Sequence, residues 1–569
     1  MSRRTRILLL LLILVIGVGW WLARRGPDVA DGSVLVLELS GEYVDAPVSP
    51  LLGRLLGTPE RSLLALLSQL SKAERDERLH AVVLHVRDLE LGWGKAEEIR
   101  QAVGRLREAG RPTVAFLEVE GFGNAEYYVA SAAERVVMAP AARNPMLGLA
   151  GEYLFLGGLW DKLGVELEYE RVGRYKSAVE TFAEEKMSDD NRAMMASILD
   201  SIDAHFVNGI AEGRGLEPDT VRGAIDEGVT RPERLREIGL VDEVAYLDEV
   251  LEGQGDRPRV KGEVYAAVDP ASVGFEPRAT FALVYAVGPV VVGEGDRGQG
   301  GRRVIASERV AKAIEDAAGS GSFQAILLRV DSPGGSPLAS DRIWHAVRTA
   351  RAKGVPVVAS YSDVAASGGY YLSAGADRIV SHPSTLTGSI GVFVIRPNLS
   401  GLLDKLAIGV ETMTRGDRAD LLLSSQPLSP GAREVLRRDV RSVYRQFLER
   451  VAEGRAMSRE EVDAVGGGRV WTGSQAHERG LVDGLGGLRE AAREAKQLVD
   501  LDPDADVGLQ VYPPPKPLAQ QLAEALGGAA VRAVPSLPLP EPLAEAVEML
   551  RTLPAGAPLL IPPGLVVVR

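Results

Sequence analysis

Two copies of one unit lie in tandem along the chain, and this internal repeat limits the possible folds more than any other feature. Residues 125–140 align with residues 368–383 at an offset of 243, and both segments carry Tyr-Tyr near their start. Flanking segments align at offsets of 244 upstream and 241 downstream. A chain of 569 residues is too long for one ordinary core. We therefore predict two related domains, residues 33–250 and 280–500.

Each copy alternates short β-branched runs with helical patterns. In the second copy, "AILLRVDS" predicts a strand, "SDRIWHAVRTARAKG" a helix and "VPVVASYS" the next buried strand. Repeated β-α units of this kind predict an α/β fold with largely parallel sheets covered by helices. The polar residues 251–279 are interpreted as a linker, and the proline-rich residues 501–569 as a C-terminal extension.

The first 32 residues contain an apolar run, Ile7–Ala23, with arginines on both sides. Its seventeen residues would span roughly 25 Å as a helix, which is near the lower limit for crossing a bilayer. Trp20 and Trp21 lie where interfacial aromatic residues are expected. No A-x-A-like cleavage site follows, so we predict a retained transmembrane helix rather than a signal peptide, with the main body outside the cytoplasm.

Composition excludes several classes of function. The formal net charge of −13 argues against a nucleic-acid-binding protein. The absence of cysteine rules out thiolate zinc sites and a cysteine nucleophile. The sequence also lacks paired-histidine metal motifs, a P-loop and a GxGxxG motif after a strand. We therefore predict no cofactor and no metal.

The two copies differ where a reactive group is expected. Ser367 of the second copy, in "DVAASGGYY", aligns with Asn124 of the first. The two glycines that follow Ser367 are replaced in the first copy by Ala125 and Glu126. Ser367 is interpreted either as a helix N-cap, which accepts a backbone N–H, or as a nucleophile at a strand-to-helix corner.

Lys176 shows the opposite pattern, because the second copy has Ala419 at the aligned position. If the copies pack against each other, Lys176 and Ser367 could form a dyad in which a desolvated, neutral lysine takes the serine proton. The alternative for Lys176 is a solvated surface lysine. A Ser–His arrangement with His382 is the other possibility.

Two further motifs are candidates to complete such a site. The turn "DSPGG" follows an apolar strand, so the N–H groups of Gly334 and Gly335, together with that of Gly368, could bind an oxyanion. Ser389, in "STLTGSIGV", is a candidate to hydrogen-bond and orient the lysine amine, or a simple turn residue.

These motifs, with "GRVWTG" in the second copy and "GRYKSAVE" in the first, resemble the signal peptide peptidase A family in its long, two-repeat form. The resemblance covers roughly residues 33–495 and implies the Clp protease/crotonase-like fold. It implies a homotetrameric serine endopeptidase in the bacterial inner membrane that faces the extracytoplasmic side and degrades cleaved signal peptides. In this family pattern Ser367 is the nucleophile, Lys176 the base and Ser389 its assistant, and Gly334, Gly335 and Gly368 bind the oxyanion. The "VETF" after the lysine motif lacks the proline expected there.

Two other functions remain compatible with the residues. One is a crotonase-type acyl-CoA enzyme, which would use the same kind of oxyanion hole. The other is a non-catalytic membrane scaffold. The presence of both Ser367 and Lys176 favours the peptidase over each of them.

Overall fold

The structure is a computed structural model that describes residues 27, 29–46, 60–121, 123–143, 147–295, 303–514 and 567–568. Among these residues, no helix combines the length and the apolar character that a membrane crossing requires. The predicted anchor Ile7–Ala23 and most of the predicted C-terminal extension lie outside the described residues.

The first repeat is built on a parallel sheet in the order β2-β1-β3-β4-β5-β8, and β9 also pairs with β1. Its strands are β1 (Ser33–Val44), β2 (Arg61–Ser62), β3 (Leu79–Glu90), β4 (Thr113–Leu117), β5 (Arg135–Met138), β6 (Gly151–Glu152), β7 (Glu166–Val172), β8 (Glu243–Val244) and β9 (Arg259–Lys261).

Helices connect and cover these strands. They are α1 (Leu63–Arg75), α2 (Trp93–Glu108), α3 (Asn124–Ala130), α4 (Gly157–Leu163), α5 (Ala178–Ala183), α6 (Asp189–Arg214), α7 (Pro218–Glu227), α8 (Pro232–Ile238), α9 (Leu247–Glu252) and α10 (Gly262–Tyr265), followed by a 3-10 turn at Pro270–Val273. The resulting core joins residues from Val29 to Val273.

The second repeat has the same architecture, with the sheet order β18-β16-β14-β13-β10-β20 and with β15 between β14 and β19. All of its pairings are parallel except β16–β18. The strands are β10 (Ala279–Val287), β11 (Val290–Val291), β12 (Ile305–Ala306), β13 (Ala325–Ser332), β14 (Val357–Ala366), β15 (Arg378–Ser381), β16 (Leu386–Gly388), β17 (Val392–Asn398), β18 (Val470–Thr472), β19 (Gly484–Leu485) and β20 (Val507–Val511). In the C-terminal extension, β21 (Val567–Val568) pairs antiparallel with β6 of the first repeat.

The helices of the second repeat form a separate core with this sheet. They are α11 (Ser307–Gly319), α12 (Pro337–Ala352), α13 (Gly368–Ser373), α14 (Ser400–Lys405), α15 (Pro430–Arg455), α16 (Arg459–Val465), α17 (Gly473–His477) and α18 (Leu488–Leu498), with a 3-10 turn at Ala419–Leu422. The predicted α/β class, with largely parallel sheets, is confirmed.

One small sheet is shared by the two repeats. Strand β7 of the first repeat pairs antiparallel with β17 of the second over seven residue pairs, from Val172–Val392 to Glu166–Asn398. Phe393 and Ile395 of β17 pack with Val179 and Phe182 of α5 in a small apolar cluster. This joint fixes the segment after β7, which carries Lys176, against the second repeat.

The predicted boundaries differ from the structure at two places. Residues 251–279 were predicted to be a linker, but β9 pairs with β1, and Tyr265 is fully buried in the first core. Strand β20 pairs with β10, so the second sheet continues past residue 500. Both strands are too short to give a readable alternation, and their apolar residues contact partners that are distant in sequence.

Candidate active site

Ser367 lies at a strained corner between β14 and α13. Its φ of 55° is in the left-handed region, which a residue with a Cβ seldom adopts. The Ser367 N–H donates to the Gly388 oxygen at 2.8 Å, and this bond holds the corner to β16. The hydroxyl makes no helix-capping hydrogen bond. Ser367 is thus the N-cap residue of α13 by position, but the predicted capping role of its hydroxyl is wrong, and the hydroxyl is available for chemistry.

Lys176 reaches Ser367 from the other repeat. Its Nζ lies 2.7 Å from Ser367 Oγ, although 191 residues separate the two in sequence. Both residues have no exposed surface. The interpretation of Lys176 as a solvated surface lysine is therefore wrong, and the two repeats place one amine and one hydroxyl in direct contact.

Ser389 supplies the other two neighbours of the amine. Its Oγ lies 2.9 Å and its carbonyl oxygen 3.0 Å from Lys176 Nζ. Ser389 also has a left-handed φ, of 51°, and its N–H donates to the Arg469 oxygen at 2.7 Å. The strained conformation turns both oxygens of Ser389 toward one amine.

The surroundings of Lys176 disfavour a charged amine. Burial lowers the pKa of Lys176 well below the usual lysine value. Within the part of the chain that the structure describes, the amine contacts only serine oxygens and forms no ion pair. The nearby pair of Arg171 and Glu180 lies on the main-chain side, where Arg171 donates to the Lys176 carbonyl oxygen at 3.3 Å.

The glycine pair after Ser367 is required by close packing. A Cβ on Gly368 would lie 2.8 Å from Ser340 Oγ and 2.9 Å from the Gly335 nitrogen, and one on Gly369 would lie 2.8 Å from the Ser332 oxygen. Such distances are shorter than Cβ atoms tolerate. The corner therefore packs directly on the "DSPGG" turn, which brings the N–H groups of Gly335 and Gly368 close together.

The prediction for Gly334 needs correction. Its N–H donates to Ser332 Oγ at 3.1 Å, so this group already has a partner. Among the described residues, the N–H groups of Gly335 and Gly368 donate to no such acceptor. Sequence reasoning missed the difference because the competing hydroxyl, only two residues earlier, was treated as part of the preceding strand.

His382 does not take part in this arrangement. The imidazole is fully buried, and its Nε2 lies 3.4 Å from Glu98 Oε2. Ser367 instead contacts Lys176. The Ser–His alternative is therefore wrong, and His382 belongs to a buried charge network between the repeats.

That network contains a residue that sequence reasoning missed, Lys95. It immediately follows the first-copy segment "RDLELGWG" that corresponds to the "DSPGG" turn, lies in the first turn of α2 and is buried. Its Nζ lies 2.7 Å from Asp331 Oδ2, contacts Asp363 Oδ2 and lies 3.7 Å from Asp45 Oδ2. Burial alone would lower the pKa of Lys95, but the carboxylates, Asp331 first, raise it well above the usual lysine value.

Lys95 thereby connects the first repeat to both turns of the candidate site. Asp331 is the first residue of the "DSPGG" turn, and its Oδ1 accepts the Val364 N–H at 3.1 Å. Asp363 precedes Ser367 by four residues and accepts the Lys95 N–H at 2.9 Å. The ion pairs that Arg329 forms with Asp45 and Glu98, at 2.8 and 2.5 Å, extend the network.

Comparisons with known proteins identify the family of the chain. The model of peptidase family S49 matches residues 105–259 and 349–502, once in each repeat. A chloroplastic serine protease SPPA of Arabidopsis thaliana is 34% identical over 514 residues, which are 88% of this chain and 74% of that protein. Protease 4 of Salmonella typhi is 30% identical over 527 residues, 87% of this chain and 83% of that protein. Protease 4 of Haemophilus influenzae is 28% identical over 513 residues, 87% and 80% of the two chains.

The fold and the site define an α/β protein of two repeats, with a buried contact between a lysine of one repeat and a serine of the other. The chain belongs to peptidase family S49, and it is a serine protease.

Proposed function

We propose that this serine protease is a membrane-anchored endopeptidase that uses a Ser–Lys dyad to degrade cleaved signal peptides. The observation that carries the proposal is the 2.7 Å contact between Lys176 Nζ and Ser367 Oγ in a site without solvent-exposed surface. A serine hydroxyl at its ordinary pKa is a weak nucleophile and needs a base within hydrogen-bond reach. Lys176 is the base that meets this requirement.

The contacts of Lys176 Nζ fit a neutral amine. Such an amine has two N–H donors and one lone pair. The Ser367 hydroxyl would donate to the lone pair, and the two N–H groups would donate to the Ser389 oxygen and to Ser389 Oγ. A charged ammonium would have no lone pair with which to accept the serine proton. The three partners at 2.7–3.0 Å are compatible with this neutral state, and burial, which lowers the pKa of Lys176, favours it.

In the proposed reaction, Ser367 Oγ attacks the peptide carbonyl carbon while its proton passes to Lys176 Nζ. The carbonyl oxygen becomes an oxyanion, which the N–H groups of Gly335 and Gly368 stabilise. Collapse of the intermediate breaks the C–N bond, and Lys176 returns the proton to the leaving amine. Water then attacks the acyl-enzyme with Lys176 as base again, which releases the acid and restores the serine hydroxyl.

Ser389 would orient the base. Its two oxygens fix the rotation of the amine about the Lys176 side chain, so that the lone pair points at Ser367. The first repeat lacks a serine and a glycine pair at the aligned corner, where Asn124 instead donates to the Gly148 oxygen at 3.0 Å. We therefore propose one reactive centre for each chain.

The substrate and the location rest on other observations. The motifs resemble signal peptide peptidase A, and a putative signal peptide peptidase SppA of Enterococcus faecium is 36% identical over 195 residues. We propose that each repeat has the Clp/crotonase-like fold. We also propose that Ile7–Ala23 anchors a homotetramer in the bacterial inner membrane with its catalytic body on the extracytoplasmic side.

A fluorophosphonate probe tests the chemistry, because it labels activated serine hydroxyls. The full chain in detergent should be labelled, and the variants Ser367→Ala and Lys176→Ala should not be. Unlabelled parent protein should cleave an apolar signal-peptide sequence faster than an unstructured polar peptide of the same length, and labelling should abolish both activities. Absence of labelling in well-folded protein would favour the acyl-CoA enzyme or the scaffold. Equal cleavage of both peptides would contradict the proposed substrate.

A further inference from the structure

A glycine-rich turn precedes β18 and lies against the lysine segment. We call residues Gly466–Arg469 the glycine turn, which the Arg469 N–H closes by donating to the Gly466 oxygen at 3.0 Å. Gly467 and Gly468 have φ angles of +60° and +81°. At the downstream offset of 241, the first repeat has Ile225–Glu227 at these glycines, and these residues end helix α7. Only the copy that receives the lysine has the turn.

Main-chain hydrogen bonds connect the glycine turn to both segments that surround the amine. The lysine segment and the Ser389 segment come from different repeats, and the turn lies between them. The bonds are Tyr175 N–H to the Gly467 oxygen at 3.0 Å, Gly468 N–H to the Ile390 oxygen at 2.7 Å and Ser389 N–H to the Arg469 oxygen at 2.7 Å.

The contact at Gly468 leaves no room for a side chain. A Cβ there would lie 2.4 Å from the Lys176 nitrogen and 2.6 Å from both Lys176 Cα and Cβ. On the other side, a Cβ on Gly391 would lie 2.7 Å from Gly468 Cα and 3.1 Å from Lys176 Cδ. The Cα and Cβ of Lys176 therefore pack directly against the main chain of Gly468. A side chain at Gly468 would displace Lys176.

Side-chain stacking supports the same placement. The guanidinium of Arg469 lies 4.8 Å from the ring centre of Tyr175 and 4.4 Å from that of Trp471. Tyr175 immediately precedes Lys176, so this stack and the hydrogen bonds restrain the same short segment. The glycine turn thus contacts the main chain of Lys176 through Gly468 and the ring of Tyr175 through Arg469.

We propose that the glycine turn is the positioning element of Lys176, and that the close contact at Gly468 sets where the amine meets Ser367. The inference rests on the proposed function, because it gives Lys176 the role of base. Gly468 touches neither substrate nor the reacting atoms, so it acts through the lysine. A displacement of about 1 Å in such a group typically reduces the rate about 100-fold.

The test compares Gly468→Ala with Gly354→Ala in the full chain. Gly354 has a φ of +83° and nothing within 4 Å of an added Cβ, so it matches the backbone strain of Gly468 without the contact. For a fluorogenic peptide, we expect kcat of G468A to fall about 100-fold with KM unchanged, while G354A keeps the kcat of the parent protein. The pH of half-maximal kcat should rise in G468A, since looser packing around the amine favours its charged form.

A folded G468A with the kcat and pH profile of the parent would overturn the inference, as would an equal loss of kcat in G354A. If G468A does not fold, Gly391→Ala takes its place in the test. The φ of Gly391 is not left-handed, and its added Cβ would press on Gly468 and Lys176, so the same fall in kcat is expected. Lys176→Ala distinguishes a failure of the proposed function from a failure of the proposed role of the glycine turn. Activity in K176A would overturn the proposed function itself, whereas an inactive K176A beside a fully active G468A would overturn only the role of the turn.

Discussion

Two buried lysines of the first repeat, Lys95 and Lys176, reach into the second repeat and meet opposite surroundings. Lys95 Nζ lies against Asp331 and Asp363, and its pKa is raised well above the usual lysine value. Lys176 Nζ lies against serine oxygens alone, and burial lowers its pKa. Burial is common to both, so the neighbouring charge decides whether a buried lysine is a structural cation or a candidate base.

The positions of the two lysines show how the copies have diverged. The first copy has no glycine pair in the segment that corresponds to the "DSPGG" turn, and this segment contacts the second repeat. A Cβ on Gly92 would lie 2.2 Å from Asp363 Cγ, and one on Gly94 would lie 2.5 Å from the Ser362 oxygen. In the first copy this segment therefore packs against the second repeat, whereas in the second copy the corresponding "DSPGG" turn lies next to Ser367.

The comparison of the two lysines predicts that the largest effect is the loss of kcat when Lys176 or Ser367 is replaced. Lys176→Met and Ser367→Ala should each reduce kcat about 10⁴-fold or more, because the dyad acts as a unit. Asn124→Ala, at the position aligned with Ser367, should leave kcat unchanged. Steady-state kinetics with one peptide check all three variants. A K176M protein within tenfold of the parent would contradict the assignment of the base.

The next effect is on stability. Lys95→Met would leave the partly buried carboxylates of Asp331 and Asp363 without their lysine partner, which should lower the free energy of unfolding by about 3 kcal/mol. Lys312→Met is the control, because Lys312 is exposed and pairs with Asp316 at 2.9 Å. It should show no resolvable change. Urea titration measures both, and equal behaviour of the two variants would show that the buried cluster contributes nothing.

Ser389→Asp should convert the surroundings of Lys176 into those of Lys95. A carboxylate within about 4–6 Å raises a lysine pKa by roughly 1–3 units. Because the base must be neutral, the rate near pH 7 should fall roughly 10- to 1,000-fold and recover as the pH rises. Ser389→Asn is the uncharged control, and its pH profile should stay where that of the parent lies. A profile shared by both variants would contradict the electrostatic explanation.

The smallest expected effect is the change in the free energy of unfolding caused by Lys176→Met. Lys176→Met removes a buried amine without breaking an ion pair, so the free energy of unfolding at pH 7 should change by at most about 1 kcal/mol or increase. The sign follows from linkage. Between the lowered pKa of Lys176 and the usual lysine value, the unfolded chain binds a proton that the folded protein does not, so stability rises with pH. Denaturation of K176M at several pH values should show this slope reduced, and a loss as large as that in K95M would contradict it.

The repeat made much of this site predictable from the sequence. Ser367 and Lys176 were recognised because each is missing from the other copy, and the structure places their functional atoms 2.7 Å apart. The α/β class followed from the β-α alternation, which depends only on local periodicity. Their catalytic roles, and those of Ser389 and the glycines, stay predictions.

Other features depend on contacts that no local pattern reveals. Lys95 resembles an ordinary lysine at the start of a helix, since Asp331 and Asp363 lie more than 230 residues away. Gly468 belongs to a run of glycines, and the sequence does not indicate that it contacts Lys176. Within the described part of the chain, the N–H of Gly334 donates to Ser332 Oγ, whereas that of Gly335 has no acceptor, and no sequence pattern distinguishes the two glycines.

The pH dependence of fluorophosphonate labelling at Ser367 tests the central claim most directly. The rate constant in the parent protein should reach half its maximum well below pH 10, because the amine of Lys176 loses its proton early in its buried setting. A rate that rises only at the pH where free lysine titrates, or that stays flat from pH 5 to 10, would contradict a neutral lysine base.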